Sequence, residues 1–372
     1  MKTFPRHLCA GLISCFIATP AWAQSLVTTP PAASAEDEKE ANSMRKAAAR
    51  AKETEAFFAA AEPFDVTFTT NIKRIRGDKD DKAPWRAASF SYTDAGGKTV
   101  SVPAQVRTRG IWRLKNCEFP PLRVNFRNED TKGTLLNGMD KPKLVNFCRD
   151  TDQFENYIKQ EMQAYRIYGL LTPASHRARL LRITYVDSAS GKTHAKRYGI
   201  MLEEGEMMAA RLGGPLIEIK GATPDNLDTY HDVLAGVFHY FIGNTDWSTH
   251  SLHNMELVGE PDGDVVPVPY DFDFAGIINA AYASVDPSLS IPSVRQRLYR
   301  GFCHAPDDYS KAFATFNEKK DAIFGLYKDP VGSSLPAKTV SETLKYIEDF
   351  YTTINDPKRA KKNILDACVK AR

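Results

Sequence analysis

The order of apolar and polar positions divides the chain into a β-patterned first half and a helix-patterned second half. Residues 64–70 (FDVTFTT) alternate at period two, the mark of a strand with one buried face. Runs 87–92 and 99–107 flank the turn Asp94-Ala-Gly-Gly97 and predict a hairpin. Further strands are expected at 121–126 and 143–147, with another pair, 178–186 and 196–202, around the turn Asp187–Gly191. One helix interrupts this series at 152–168. Thr151 or Asp152 stands at its N-cap, Gly169 at its stop, and Phe154, Tyr157, Ile158, Met162 and Tyr165 form its apolar face. The second half predicts helices at 226–242, 292–302, 307–325, 338–354 and 357–370. Ahead of the β region, 36–61 is rich in Ala, Glu, Lys and Arg without Gly or Pro, which favours a helix lying on the domain or projecting from it. A Pro/Ala/Thr spacer, 25–35, precedes it.

One stretch breaks the helical texture. Gly243-Asn-Thr-Asp246 leads through His253-Asn254 into the apolar run 255–258, a Gly/Pro/Asp turn, a second run 265–270, and Asp271-Phe272-Asp273. Two β-rich runs around such a turn predict a hairpin, which brings Asn254 beside Asp271 with Asp246 on the entering loop. Two carboxylates and an amide oxygen suit a hard cation such as Mg²⁺ bridging phosphates. A further carboxylate nearby could take a proton from an attacking hydroxyl. Each residue alone has a plainer role: an Asp at a hairpin end is often a turn residue. The joint arrangement carries the functional reading. Asp273 is either a second ligand or a structural acceptor, and His253 is read as a structural hydrogen-bonder.

Composition adds bounds. The 372 residues are enough for one large domain or two lobes, and 42% hydrophobic with 26% charged residues is ordinary for a globular chain. The formal charge of +3 includes Lys2 and Arg6, and no basic run forms a patch, so nucleic acid is not an expected partner. Residues 1–23 read as a secretory leader: Lys2 and Arg6, an apolar stretch to Ala18, and the small-x-small site Ala21-Trp-Ala23. A lipoprotein box ending at Cys15 competes with it but would leave apolar Phe16-Ile-Ala after the cut, so cleavage after Ala23 is preferred. No later segment has the length and apolarity of a transmembrane helix. The expected address is outside the cytoplasm, periplasmic or secreted. Beyond the leader remain Cys117, Cys148, Cys303 and Cys368, an even set for an exported chain. The economical pairing is Cys117–Cys148 and Cys303–Cys368.

Four blocks resemble the CotH kinase family of exported, atypical kinases. Val106-Arg-Thr-Arg-Gly110 is similar to that family's VRxRG segment, and Pro121–Phe126 stands where it has a basic strand. Residues 182–204 look like its strand pair, and Asn244-Thr-Asp246…His253-Asn254…Tyr270-Asp271-Phe-Asp273 is the most specific block. The resemblance covers about residues 100–280. It implies a bilobal protein-kinase-like α+β fold: leader 1–23, spacer and helix 24–62, a β-rich N-terminal lobe 63–204 with one embedded helix, and a helical C-terminal lobe 205–372.

The same resemblance implies ATP with Mg²⁺ or Mn²⁺ as cofactors, and transfer of the γ-phosphate to a hydroxyl acceptor, a protein Ser/Thr or an envelope component. Asp246 would be the catalytic carboxylate, and Asn254, Asp271 and Asp273 the metal ligands. Glu203 and Glu204 would mark the hinge whose backbone holds the adenine. A strand lysine for the phosphates is not evident: Arg109, Lys115, Arg123, Lys143, Lys196 and Lys220 compete. Arg109 and Arg123 are preferred because a guanidinium contacts phosphate bidentately. Glu155 or Glu161 would be the embedded helix's acidic partner. The alternative is a non-catalytic kinase-like binding or structural protein of the cell envelope.

Overall fold

A computed structural model describes residues 34–80, 82–260 and 263–370; the leader, its cleavage site and the Cys15 box lie outside them. Seven strands form a closed barrel: β1 (Phe64–Thr70), β2 (Arg86–Thr93), β3 (Thr99–Thr108), β4 (Leu122–Asn125), β5 (Lys143–Val145), β6 (Ala178–Asp187) and β7 (Thr193–Leu202). Their order around the barrel is β1-β2-β3-β4-β5-β7-β6, and the parallel pairing of β1 with β6, Phe64 opposite Leu181, closes it. Alternation fills the interior: Val66, Phe68, Phe90, Val102, Val106, Val124, Ile183 and Tyr185 are all buried.

This closure overturns the bilobal, protein-kinase-like fold expected from the sequence. The strands themselves fall close to where alternation puts them. Periodicity reports which residues share a face, but not that β1 finds its second neighbour in β6, beyond an intervening helix.

That helix, α2 (Asp152–Leu171), is capped by the Thr151 side chain, which accepts from the Phe154 amide. It runs through Gly169 and stops where Pro173 follows. Its apolar face joins Val145, Leu180, Ile200 and Leu202 of the barrel to Phe238, Phe241 and Phe350 of the helical half in one continuous core. The remaining long helices are α1 (Ala35–Glu53), α3 (Gly205–Leu212), α4 (Thr229–Ile242), α5 (Pro306–Gly325) and α6 (Ala337–Ile354). α1 lies on the domain, with Ala47 and Ala51 buried and Arg50 paired to Glu204 at 3.1 Å.

A small sheet forms from β8 (Leu216–Ile217), ahead of α4, with β9 (Met255–Gly259) and β10 (Val265–Pro269), which follow it. The helix expected at 292–302 is absent: Arg295 donates to the Gly276 carbonyl, and Arg297 to those of Phe241 and Tyr346. The 357–370 helix shortens to Pro357–Ala360 and a π turn over Lys361–Leu365. Disulfides Cys117–Cys148 and Cys303–Cys368 are both formed. Among the described residues no helix is long and apolar enough to cross a membrane. With the disulfides, this fits an exported protein.

Candidate functional site

The site begins where α4 ends. Gly243 leaves the helix with φ 68°, a left-handed conformation that suits glycine, and a Cβ there would lie 2.1 Å from Tyr346 Oη. Asn244 Oδ1 then accepts from the Asp246 amide at 2.9 Å, holding the turn. Ser248 and His253 exchange backbone hydrogen bonds of 2.9 and 3.0 Å, closing the loop between them. Asn254 enters β9, and β10 returns antiparallel to it with Pro269 opposite Met255. The Tyr270 amide donates to the Asn254 carbonyl at 3.0 Å, so Asn254 and the Tyr270–Asp271 segment lie side by side.

Asn254 Nδ2 donates to the Asp246 carbonyl at 2.7 Å and to its Oδ2 at 3.2 Å, and His253 Nε2 is 2.8 Å from Asp246 Oδ1. With its nitrogen on Asp246, the Asn254 amide directs its oxygen away from that carboxylate. Leu252, Asn254 and Asp271 have φ of 54°, 55° and 60°. Non-glycine residues in this region cost about 1–3 kcal/mol each and gather at ligand-binding sites.

Behind Asp271 stands a buried acidic group. Glu161 and Tyr165 lie one turn apart on α2, and the Asp271 amide donates to Tyr165 Oη at 2.9 Å. Burial, reinforced by the charge of Asp271, pushes the Asp273 carboxyl up to about 7; Arg113 and the Tyr282 hydroxyl oppose the shift. Burial likewise raises Glu161, with Asp273 and Asp271 adding to it. Arg113 Nη1 is 3.8 Å from Asp273 Oδ2. Neither Glu161 Oε1 nor Asp273 Oδ2 has a hydrogen-bond partner among the described residues.

Cations face this group from the barrel. Register places Arg107 opposite Arg123 and Arg123 opposite Lys143 on β3, β4 and β5, on the outer face, because their neighbours Val106, Val124 and Leu144 point inward. Arg109 follows just after β3. Burial lowers the Arg123 pKa, and the charges of Arg109 and Arg107 lower it further. Burial raises the Tyr270 pKa, with the charges of Glu256 and Asp271 adding to the shift and those of Arg109 and Arg123 opposing it. The Nε atoms of Arg109, Arg113 and Arg123 are buried and also lack partners. A buried polar group without a partner costs about 1–3 kcal/mol, so such a cluster calls for a ligand or water.

The structure therefore gathers Asp246, Asn254, Asp271, Asp273, Arg109 and Arg123 into one neighbourhood. Glu203 and Glu204 have their side chains engaged elsewhere. Glu203 pairs with Arg177 at 2.6 Å and Arg211 at 3.0 Å; Glu204 pairs with Arg50 and accepts from the Asp140 and Lys141 amides. The Glu203 backbone also bonds internally, its amide to the Arg177 carbonyl. Of the phosphate candidates, Lys143 pairs with Glu256 at 3.0 Å and lies over the Tyr270 ring.

Sequence reasoning did not assign roles to Arg113, Tyr165 or Tyr282. Arg113 turns inward because a short helix, Trp112–Asn116, follows the strand, and the Trp112 indole stacks on Tyr282. Tyr165 was visible only as part of an apolar face, and nothing in the sequence marks Tyr282.

Among the described residues, no group of three or more His, Cys, Asp or Glu side chains is arranged to hold a metal ion by itself. No protein-family model matches the chain, and no curated protein is similar to it in sequence.

Proposed function

We propose that the Asp246–Asp273 loops and the facing arginines bind ATP with Mg²⁺ or Mn²⁺, and that the γ-phosphoryl group passes to a hydroxyl acceptor. In this reading the chain is an exported relative of the CotH kinases, built on a barrel. One observation carries it. Buried carboxylate oxygens of Glu161 and Asp273 and a buried guanidinium nitrogen of Arg113, all within the field of the Asp271 charge, have no hydrogen-bond partner among the described residues, and neither do those of Arg109 and Arg123. A polyanion with a hard cation would satisfy both sets.

The donors suit such a cation, since all are oxygens. Mg²⁺ is commonly held by one or two carboxylates plus substrate phosphates. Asn254, Asp271 and Asp273 would hold it, and it would neutralise charge on the phosphate oxygens. Arg109 and Arg123 would orient the phosphates. Asp246 would take the acceptor's hydroxyl proton as the new O–P bond forms and the bond to the β–γ bridging oxygen breaks, releasing ADP.

A second reading, a non-catalytic binding protein of the envelope, rests on Asp246: both its carboxylate oxygens already accept hydrogen bonds, from His253 and Asn254.

Titration calorimetry with Mg-ATP, with transfer of labelled γ-phosphate, separates the readings. Phosphotransfer requires that Asp271→Asn lose nucleotide binding, and that Asp246→Asn keep binding while transfer falls by about 10²–10⁴. Binding without transfer favours the second reading. No binding by the parent chain removes the nucleotide from both.

A further inference from the structure

A recess lies against the Asp246 loop. It measures about 370 Å³, near the lower end for small-molecule sites.

Its walls include Trp247, Thr249, His250, Arg300, Phe302 and Lys370. Arg300 joins it to the candidate base: its guanidinium donates to the carbonyls of Thr245 and Trp247, the residues on either side of Asp246. Trp247 is fixed by stacking on His239 at 4.2 Å. The far wall is the C-terminal segment, held by the Cys303–Cys368 disulfide and by two backbone bonds, Cys303 to Val369 at 3.1 Å and Val369 to Gly301 at 2.9 Å.

Two features indicate the occupant. Trp247 Nε1 and Thr249 Oγ1 are buried without a hydrogen-bond partner among the described residues, although a buried indole N–H ordinarily finds one. Arg300 and Lys370 bring positive charge, and no described lining residue is a carboxylate. Aromatic rings, unpartnered polar atoms and two cations in one wall suit a small hydroxylated anion.

We propose that this recess seats the acceptor, and that the acceptor is a sugar-phosphate unit, free or at the end of a polymer. This rests on the phosphotransfer reading for its role but not for its binding chemistry. In the transfer, the sugar hydroxyl loses its proton to Asp246 and gains the γ-phosphorus, and ADP departs.

The test is titration of the full exported chain, disulfides intact, with mannose 6-phosphate, mannose and phosphomannan, without nucleotide. Mannose 6-phosphate is expected to bind at least tenfold more tightly than mannose. Lys370→Glu and Arg300→Gln should each weaken it at least tenfold, with thermal melting as the folding control; Lys370 is exposed, so its variant tests charge without disturbing the core. Tighter binding of phosphomannan than of the free sugar phosphate assigns the polymer as source, and the reverse assigns the free sugar. Equal affinity for mannose and its phosphate, or variants that bind like the parent, overturns the proposal. If this pattern holds while ATP fails to bind, the recess stands and the phosphotransfer reading falls. If ATP binds and its phosphate goes only to an acidic Ser-containing peptide, the recess proposal falls and phosphotransfer stands.

Discussion

His253 Nε2 lies 2.8 Å from Asp246 Oδ1, and the pair is half exposed at the end of the Ser248–His253 loop. The hydrogen bond to Asp246 raises the His253 pKa above its ordinary 6.5, against the opposing effect of burial. A raised histidine pKa contributes stability that is complete below the unfolded value and disappears as pH rises through the folded one. Melting of the parent chain and His253→Gln should therefore differ most near pH 5.5–6 and converge at about pH 8–9. A gap that stays constant over that range would mean the pair is not charge-linked.

The Gly243 turn offers a test of packing. Its left-handed φ and the 2.1 Å approach of Tyr346 Oη to a Cβ both oppose alanine. Gly243→Ala should destabilise the chain by about 1–3 kcal/mol. Tyr346 Oη has no hydrogen-bond partner among the described residues, so Tyr346→Phe alone should cost little. Combined with Gly243→Ala it should restore part of the loss, leaving the φ penalty. Strictly additive effects in denaturant melts would show that the ring is not the obstacle.

Glu256 links the small sheet to the barrel, 3.0 Å from both Lys143 and His176. Burial alone would raise its pKa, but Lys143 and His176 outweigh burial and hold it well below the ordinary carboxylate range. A depressed carboxylate contributes stability above its unfolded pKa of 4.5 that is lost as pH falls below that value. Glu256→Gln should cost about 3–5 kcal/mol near neutrality, because it strands Lys143. Its stability should also change less than the parent's between about pH 5 and 3. Parallel acid-unfolding curves would contradict the linkage.

Local features were legible in the sequence. Thr151 caps α2 as its side-chain chemistry suggests, the strand alternation holds to within a few residues, and the cysteines pair within each half. The hairpin that places Asn254 beside Tyr270 was legible too, because its signal lies in one short turn. Long-range relations were not. Nothing in residues 64–70 names β6 as a partner, so a closed barrel was read as the β-rich lobe of a bilobal fold. Residues 292–302 have a helical pattern, yet Arg295 and Arg297 gain more by reaching carbonyls of neighbouring segments. At the site, acids and amides in a short motif were visible, whereas Arg113 and Tyr282 converge only through tertiary packing.

The closure of the barrel also sets an order of events during synthesis. Asp65 and Arg182 face each other in register although 117 residues separate them. A chain emerging from its N-terminus can pair β1 with β2 early, but the other edge of β1 stays bare until residues 178–187 arrive. For that interval the strand offers an open hydrogen-bonding edge to any other chain. Chains cut short before Asp187 should thus be the aggregating species, and a carrier that shields β1 would act before the barrel exists.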